Sequence, residues 1–306
     1  MKILVTGGAG FIGSHIQDTL IKLGHKVCVV DNLSTGFKNN LNPKAKFYHL
    51  DIQSPKVKDV FSKEKFDAVF HEAAQIDLRK SLDDPIKDAQ INILGSINIL
   101  ENCKNFKVKK IIFASTGGAM YGEANIFPTP ESYSPSPLSP YGIEKLTVEY
   151  YLHYYFHVFG MKFIALRYAN VYGPRQNPHG EAGVVAIFIN KLFNKQIPVI
   201  NGDGKNARDY VYVEDVVSAN ILALKSNEVG YYNIGTGIET NVNQIFQKIE
   251  QNVKSKIKPK HGPAKPGEQR RSSLDARKAA IELDWIPEVD LSQGIKKTVD
   301  WFADSH

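Results

Sequence analysis

The sequence predicts an α/β fold in which a doubly wound parallel sheet is followed by a smaller α/β domain. Two observations predict this class. Short apolar segments alternate with helical segments up to residue 172, and the first apolar segment, 2–6, runs directly into a glycine-rich loop. Such alternation is typical of parallel strands joined by right-handed helical crossovers. After residue 172 it gives way to shorter mixed elements, which indicates a second domain.

Each predicted strand is a short apolar segment of the kind that is buried on both faces of a parallel sheet. In chain order, the predicted strands are 2–6, 26–30, 45–50, 68–71, 110–114 and 162–166. Helices are predicted where apolar residues recur at helical spacing or where glycine marks an end. The predicted helices are 14–24, 55–64, 85–105 and 142–159. We therefore expect a first domain at 1–172, with a returning segment at about 209–236, and a second domain at 173–306.

Composition and charge narrow the class of protein. The 306 residues are 42% hydrophobic, which is ordinary for a globular protein with a sizeable core. The apolar run at 183–189 is too short to span a bilayer, and the one after Lys2 is too short for a signal peptide. The net charge of +6 comes from scattered lysines, so we expect no nucleic-acid partner. The expectation is a cytoplasmic protein without a membrane partner.

The cysteines and histidines predict neither a disulfide framework nor a metal site. Cys28 and Cys103 lack zinc-type spacing and lie in apolar segments, where small core residues are expected. His71 and Glu72 do not begin a zinc motif, because Gln75 occupies the position of the second histidine. A reducing compartment fits this usage of cysteine.

The loop after the first strand carries glycines at positions 7, 10 and 13 and opens the first predicted helix. Gly7 would form the tight turn, Gly10 would let a pyrophosphate approach the helix N-terminus, and Gly13 would let helix and strand pack closely. Asp31 ends the second strand, where a carboxylate accepts hydrogen bonds from both ribose hydroxyls of an adenosine. Asn32 follows it, with no arginine nearby to hold a 2′-phosphate. The pattern therefore predicts a site for NAD rather than NADP.

Tyr141-Gly-Ile-Glu-Lys145 places a phenol and an ammonium four residues apart on one helix face. The ammonium is expected to lower the pKa of Tyr141 from about 10 towards neutrality, which would make it a usable acid and base. Thr116 ends a predicted strand and could present its hydroxyl to the same site. Because ligands of open α/β sheets bind beyond the carboxyl ends of the strands, we expect Thr116, Asp31 and Asn170 to converge with the glycine loop.

Taken together, these motifs resemble those of one enzyme family. The stretches that carry the resemblance are Thr6-Gly-Gly-Ala-Gly-Phe-Ile-Gly13, Asp31-Asn-Leu-Ser34, Ser115-Thr116, Tyr141-x-x-x-Lys145, Arg167-Tyr-Ala-Asn170-Val-Tyr-Gly-Pro174 and Arg208-Asp-Tyr-Val-Tyr-Val-Glu-Asp215. They are similar to the extended short-chain dehydrogenase/reductase family, and most similar to its UDP-glucose 4-epimerase branch. The resemblance covers nearly the whole chain. It implies a Rossmann-type fold, NAD as the cofactor and a UDP-sugar as the substrate.

The resemblance also implies a role for each matching residue. Tyr141 would take the proton of the sugar 4-hydroxyl, Thr116 would share a hydrogen bond with that oxygen, and Lys145 would bind the nicotinamide ribose. The implied cofactor-binding residues are Gly7, Gly10, Phe11, Ile12, Gly13, Asp31, Asn32, Ser34, Gly36, Asp51, Ile52, Ala73, Ala74, Asn92, Tyr141, Lys145 and Tyr168. The implied substrate-binding residues are Thr116, Tyr141, Asn170, Val185, Arg208, Lys265, Glu268, Arg270 and Ser272.

The implied reaction is epimerisation at sugar C4, and departures from the family pattern refine it. Related dehydratases and decarboxylases carry acids after the threonine, whereas this chain has Gly117-Gly118 there, which argues against both activities. Lys265 stands where the family often has an arginine, and Arg270 or the arginine after it could substitute. Ser272 takes a place that in some epimerases holds a bulky tyrosine, which predicts room for an N-acetyl group.

Three alternatives stay open on the sequence alone. A UDP-glucuronate 4-epimerase is compatible with the same motifs. A reductase of nucleotide 4-keto-sugars would release its cofactor and usually prefer NADP, which Asp31-Asn32 disfavours. A non-catalytic NAD-binding sensor would not need Thr116, Tyr141 and Lys145 together.

The resemblance further implies a homodimer. Helices that match 85–105 and 142–159 pair across a dimer in the family. The aromatic run at 150–156 is compatible either with core packing or with such an intersubunit surface, since aromatic residues are enriched at interfaces.

Overall fold

The computed structural model describes residues 1–179, 183–264 and 269–304, and its largest element is a seven-stranded sheet. The strands are β1 Lys2–Thr6, β2 Lys26–Asp31, β3 Lys46–His49, β4 Ala68–His71, β5 Lys110–Thr116, β6 Lys162–Tyr168 and β10 Gly230–Ile234. They stand in the order β3-β2-β1-β4-β5-β6-β10, and all neighbours are parallel. The order reverses between β1 and β4, so a crevice for a ligand is expected at the carboxyl ends of these two strands. The prediction of a doubly wound parallel sheet is confirmed.

Helices cover both faces of this sheet, and each face has its own apolar core. One face is covered by α1 Phe11–Lys22, α8 Val213–Lys225 and α10 Arg277–Leu283. The other face is covered by α2 Val57–Glu64, α5 Gly95–Asn105 and α6 Pro140–Phe159. Alternation along β1 supplies both cores, because Ile3 and Val5 pack in the first and Leu4 in the second. Each such side chain contributes about 1.5–3 kcal/mol by leaving water.

The remaining elements form a smaller α/β region with a third core. Its helices are α7 Val184–Phe193, α9 Val242–Val253 and α11 Leu291–Asp304. Its strands are β7 Asn170–Tyr172, β8 Val199–Asn201, β9 Ala207–Tyr212, β11 Glu239–Asn241, β12 Lys260–Gly262 and β13 Arg271–Ser272. β9 pairs in parallel with β7 and β13 and antiparallel with β11, while β8 pairs with β12. Strands this short and mixed explain why the periodicity fades after residue 172.

The predicted helix 85–105 is interrupted in a way that shapes the site. It consists of α4 Pro85–Ala89, a π-helical turn at Gln90–Leu94, and α5, and it follows the short helix α3 Leu78–Asp83. The π turn carries the side chain of Asn92, which is buried. Such turns are frequent at functional sites. Within the described residues, no helix is both long and apolar enough to cross a membrane.

Candidate active site

The loop between β1 and α1, residues 7–13, is shaped by its glycines and is called the phosphate loop below. Gly7 has φ +70°, and a Cβ there would lie 2.7 Å from the Ala73 amide nitrogen. A Cβ on Gly13 would lie 2.4 Å from the Gly7 carbonyl oxygen. Gly10 precedes α1 and has no side chain to cap it, so the first amides of the helix are available to an anion. Phe11 packs against the third core and Ile12 against the first.

Asp31 is anchored at the end of β2 by two backbone amides. Its Oδ2 accepts a hydrogen bond from the Ala9 amide at 2.9 Å, and its Oδ1 accepts one from the Leu33 amide at 2.7 Å. Each oxygen keeps a second lone pair, so the carboxylate can still accept from a diol. Gly36 lies against the same loop, because a Cβ there would come within 2.8 Å of the Ala9 carbonyl carbon.

The residues beside Asp31 form a wall of the crevice. Asn32 Nδ2 donates to Asp51 Oδ2 at 2.7 Å, and Asn32 Oδ1 accepts from the Ser34 amide at 3.0 Å. Ile52 is buried in the second core, where it closes over Gly95. These two hydrogen bonds fix Asn32 against Asp51 and Ser34. Neither bond involves the Asp31 carboxylate, which lies at the end of β2.

Asn92 braces the backbone after β4 against α6. Its Oδ1 accepts from the Gln75 amide at 2.8 Å, and its Nδ2 donates to the Gln75 carbonyl at 3.0 Å and to Glu144 Oε2 at 2.7 Å. Ala73 and Ala74, which are partly buried, precede this brace. The structure therefore assigns Asn92 to holding two walls of the crevice together.

Lys145 lies against β5 close to the other two predicted catalytic residues. Its Nζ donates to the Ala114 carbonyl at 2.7 Å and lies 5.8 Å from the centroid of the Tyr141 ring. Thr116 ends β5, two residues beyond Ala114, and its Oγ1 accepts from the Ala119 amide at 3.2 Å. That bond leaves the Thr116 hydroxyl proton available to another acceptor.

The expected lowering of the pKa of Tyr141 is wrong for this structure. Burial raises the pKa of Tyr141, and the carboxyls of Asp88, Glu144 and Glu72 raise it further. Burial also lowers the pKa of Lys145 to about 8, although the surrounding carboxyls oppose this shift. The prediction considered the helical pair alone, whereas desolvation and three nearby acids dominate in the folded chain.

These three acids, Glu72, Asp88 and Glu144, form a group that we call the carboxyl cluster, and no sequence pattern indicated it. Glu72 follows β4, Asp88 lies in α4 and Glu144 lies in α6. Only the fold therefore brings all three close to Tyr141. Burial, with an added contribution from Asp88, raises the pKa of Glu144 to about 7. Asp88 is buried, and its Oδ2 has no hydrogen-bond partner among the described residues. Its Oδ1 accepts from Gln75 Nε2 at 2.8 Å, so one oxygen of this buried carboxyl lacks a donor, which is costly.

The loop after Thr116 has no titratable side chain at its first two positions, which are Gly117 and Gly118. A Cβ on Gly117 would lie 2.3 Å from Leu274 Cδ1 and 3.1 Å from the Arg167 carbonyl oxygen, so packing excludes a side chain there. A Cβ on Gly118 would meet only Asn170 Oδ1, at 3.8 Å. Asn170 therefore lies beside the loop that follows Thr116.

A buried polar network that the sequence did not indicate joins α6 to the strands β5, β6 and β10. Glu149 of α6 accepts from Ser115 Oγ at 2.6 Å and forms a bidentate ion pair with Arg167 of β6, at 3.0 and 2.6 Å. Arg167 Nη1 donates to the Tyr121 hydroxyl at 2.9 Å, which donates to Asn233 Oδ1 at 2.8 Å. The network ties α6, β5, β6 and β10 together directly beneath Thr116.

The predicted substrate-binding residues are placed unevenly. Arg208 of β9 pairs in register with Ser272 of β13, which puts both side chains on one face of that sheet. The Val185 side chain is buried in the third core, which leaves only its backbone amide for a ligand. Arg270 instead forms an exposed bidentate ion pair with Asp203, with both contacts at 2.9 Å.

Two further predicted positions, Lys265 and Glu268, lie outside the described residues. The last predicted residue, Tyr168, ends β6, where its hydroxyl accepts from Asn220 Nδ2 at 2.7 Å and lies 3.4 Å from Glu72 Oε1. No group of three or more His, Cys, Asp or Glu side chains that could hold a metal occurs within the ranges that the structure covers.

The chain is similar in sequence and structure to several known proteins. The chain is 40% identical over 308 residues to a UDP-glucose 4-epimerase of Mycolicibacterium smegmatis, covering 99% of this chain and 98% of that protein. It superposes with a TM-score of 0.98 and 48% identity on the crystal structure of a Thermotoga maritima UDP-glucose 4-epimerase with UDP-glucose, covering 100% and 99% of the two chains. The chain also superposes on the structure of a UDP-N-acetylglucosamine 4-epimerase of Methanobrevibacter ruminantium in complex with UDP-N-acetylmuramic acid. The TM-score is 0.94 and the sequence identity is 35%, covering 100% of this chain and 99% of that chain. Residues 3–235 match the family model, and the chain therefore belongs to the NAD dependent epimerase/dehydratase family.

Proposed function

We propose that the chain is an NAD-dependent nucleotide-sugar 4-epimerase whose principal reaction interconverts UDP-glucose and UDP-galactose. The observation that carries this proposal is the distribution of titratable groups around the crevice. Tyr141 stands with Lys145 and the carboxyl cluster, whereas the loop after Thr116 carries Gly117 and Gly118 in place of acids. One phenol is enough for a reaction that removes and returns a single hydroxyl proton, whereas elimination needs further acids.

The crevice fits NAD. Gly7 and Gly13 have no room for a Cβ, which lets the phosphate loop pack closely, and the uncapped amides at the start of α1 can hold a pyrophosphate. Asp31 retains lone pairs for the adenosine ribose, and Lys145 offers its ammonium to the nicotinamide ribose. When bound, NAD supplies a reversible hydride acceptor for sugar C4.

The chain's own residues then handle the proton. Tyr141 takes the proton of the 4-hydroxyl as C4 is oxidised and returns it when the alcohol is restored. Thr116 Oγ1 already accepts from a backbone amide, so its hydroxyl can donate to the same sugar oxygen. Because burial and the carboxyl cluster hold the pKa of Tyr141 high, the positive charges of Lys145 and of an oxidised nicotinamide are needed to ionise it.

The remote end of the substrate is assigned to β9 and β13. Arg208 can hold a diphosphate through two parallel hydrogen bonds, which keeps the sugar in the site while its ring turns over. Ser272 on the same face is small, so we propose that UDP-N-acetylglucosamine is converted as well. The likeness to the Methanobrevibacter ruminantium enzyme supports this extension.

An NMR panel of UDP-glucose, UDP-galactose, UDP-N-acetylglucosamine and UDP-glucuronate, each incubated with the protein and NAD⁺, tests the proposal. We expect the anomeric signals of both 4-epimers to appear from UDP-glucose and UDP-N-acetylglucosamine. Ser272→Tyr is the matched control and should lose the acetylated substrate while keeping the plain one. Turnover of UDP-glucuronate alone would replace the proposal with the uronate epimerase. Net reduction of one NAD⁺ for each sugar oxidised would indicate a 4-keto-sugar reductase running in reverse, and no turnover of any sugar would indicate a sensor.

The assembly is proposed to be a homodimer through α6 and the helices beside it. Exposed apolar residues lie along this surface, among them Tyr150, Val158, Ile86 and Leu94. Contiguous exposed apolar surface of this kind is typical of protein interfaces. Light scattering should give the mass of two chains, and Leu94→Glu should halve it. Ile281→Glu, at an exposed position in α10, is the control that should leave the mass unchanged.

We also propose the domain division 1–172, with a return at about 209–236, and 173–306. The separate third core supports it.

A cytoplasmic location is proposed as well, supported by the free, buried thiols of Cys28 and Cys103. Localisation of a tagged chain by cell fractionation checks the compartment.

A further inference from the structure

Glu72 is a carboxyl at the carboxyl end of β4 to which no motif assigns a role. Its backbone lies against the phosphate loop, because a Cβ on Gly7 would come within 2.9 Å of the Glu72 carbonyl carbon. Its side chain reaches the end of β6, where the Tyr168 hydroxyl lies 3.4 Å from Glu72 Oε1. Glu72 therefore stands at the point where the strand order reverses, between β1 and β4, next to the predicted nicotinamide end of the crevice.

The charged and titratable groups that face Glu72 come from three elements. From α6, Lys145 favours its ionised form. From β6, Tyr168 donates to it, and Asn220 of α8 fixes the Tyr168 hydroxyl from behind at 2.7 Å. The neighbouring His71 is neutral, because burial lowers its pKa to about 3. Desolvation outweighs the help of Lys145 and raises the pKa of Glu72 to about 7.

The charge of Glu72 affects the pKa values of both Tyr141 and Lys145. Glu72 is one of the three carboxyls that raise the pKa of Tyr141, and its charge opposes the lowering of the pKa of Lys145 more than that of any other carboxyl. A group that acts on both ends of the Tyr141–Lys145 pair also acts on a ligand charge placed beside that pair. The oxidised nicotinamide ring carries one positive charge and the reduced ring carries none.

We propose that Glu72 is a positioning residue that tunes the cofactor, since its carboxylate stabilises the oxidised nicotinamide over the reduced form and fixes Tyr168 beside it. An epimerase must give its hydride back in every cycle, so a carboxylate that favours the oxidised cofactor assists the return step. The inference rests on the proposed NAD cofactor and not on the identity of the sugar.

The test measures which form of the cofactor the protein retains, without any sugar. Protein equilibrated with equal amounts of NAD⁺ and NADH is freed of unbound cofactor, and the retained ratio is read from the absorbance of the released nucleotides. Glu72→Gln keeps the shape and a hydrogen-bond acceptor but removes the charge, so we expect a shift of about fivefold towards NADH. In the wild-type protein the same shift should develop as the pH falls below about 7, where Glu72 gains a proton.

Two further variants separate charge from fold. Glu131→Gln removes another partly buried carboxyl, which accepts from the Asn233 amide at 2.8 Å, and should retain the wild-type ratio. Glu72→Asp keeps the charge and should restore most of that ratio even if the contact with Tyr168 is lost. A ratio in Glu72→Gln equal to that of wild type, or an equal shift in Glu72→Asp, would overturn the proposal. Because no sugar is present, failure of the epimerase assignment would leave this outcome unaffected.

Discussion

The two walls of the active-site crevice differ in what they can do with a proton. The α6 wall carries Tyr141, with the carboxyl cluster close enough to raise its pKa. The β5 wall carries Thr116 and then Gly117-Gly118, where packing leaves no space for a titratable side chain at the first glycine. In the proposed reaction, acid–base chemistry at the sugar is therefore assigned to Tyr141, whose pKa the carboxyl cluster raises.

Removing the phenol hydroxyl should give the largest effect. Tyr141→Phe is expected to lower kcat by about a thousandfold, because a positioned acid–base group typically contributes 10²–10⁴-fold. Bound NAD should be retained, since the proposed contact between Lys145 and the nicotinamide ribose does not depend on the hydroxyl. Turnover by NMR and the absorbance of released cofactor measure the two quantities. Tyr150→Phe, on the exposed face of the same helix, is the control and should keep full activity; near-normal turnover in Tyr141→Phe would place proton transfer elsewhere.

On the opposite wall, a single methyl group should be enough to disturb the fold. Gly117→Ala would press a Cβ against Leu274, which is itself buried, and against the Arg167 carbonyl. Overpacking of this kind costs about 1–3 kcal/mol in the free energy of unfolding. Gly118→Ala is the matched control, because its Cβ would meet only Asn170 at van der Waals distance. Urea unfolding of both variants decides the matter, and equal stabilities would mean that the β5 wall tolerates side chains.

The same contrast explains what sequence could and could not predict. The phosphate loop was predictable because its demands are local: Gly7 needs a positive φ and Gly13 needs close packing within the same turn. The carboxyl cluster was not, because its members come from three elements that only tertiary structure brings together. The Tyr141 pKa was mispredicted for that reason, since burial and those acids outweigh a lysine four residues away.

Neutralising one member of the cluster should change how stability depends on pH. A carboxyl whose folded pKa is raised binds more protons when folded, so its contribution is full below its unfolded pKa and is lost as the pH rises through the folded value. For Glu144 this window runs from 4.5 to about 7. Glu144→Gln, which keeps an acceptor for Asn92, should therefore gain about 1–2 kcal/mol over wild type at about pH 8 and nothing near pH 4. Thermal unfolding at both pH values measures this, and a difference independent of pH would show that Glu144 does not titrate in this range.

The smallest effect is expected at Arg270, which directly precedes β13. Its guanidinium is engaged with Asp203 in an exposed ion pair, and such pairs contribute about 0–1 kcal/mol. Arg270→Ala should therefore leave the free energy of unfolding within about 0.5 kcal/mol of wild type and KM for the UDP-sugar within about twofold. Arg208→Ala is the informative comparison, because Arg208 shares a sheet face with Ser272 and its loss should raise KM. A rise in KM for Arg270→Ala of the same size would show that Arg270 leaves Asp203 to hold the diphosphate when substrate is bound.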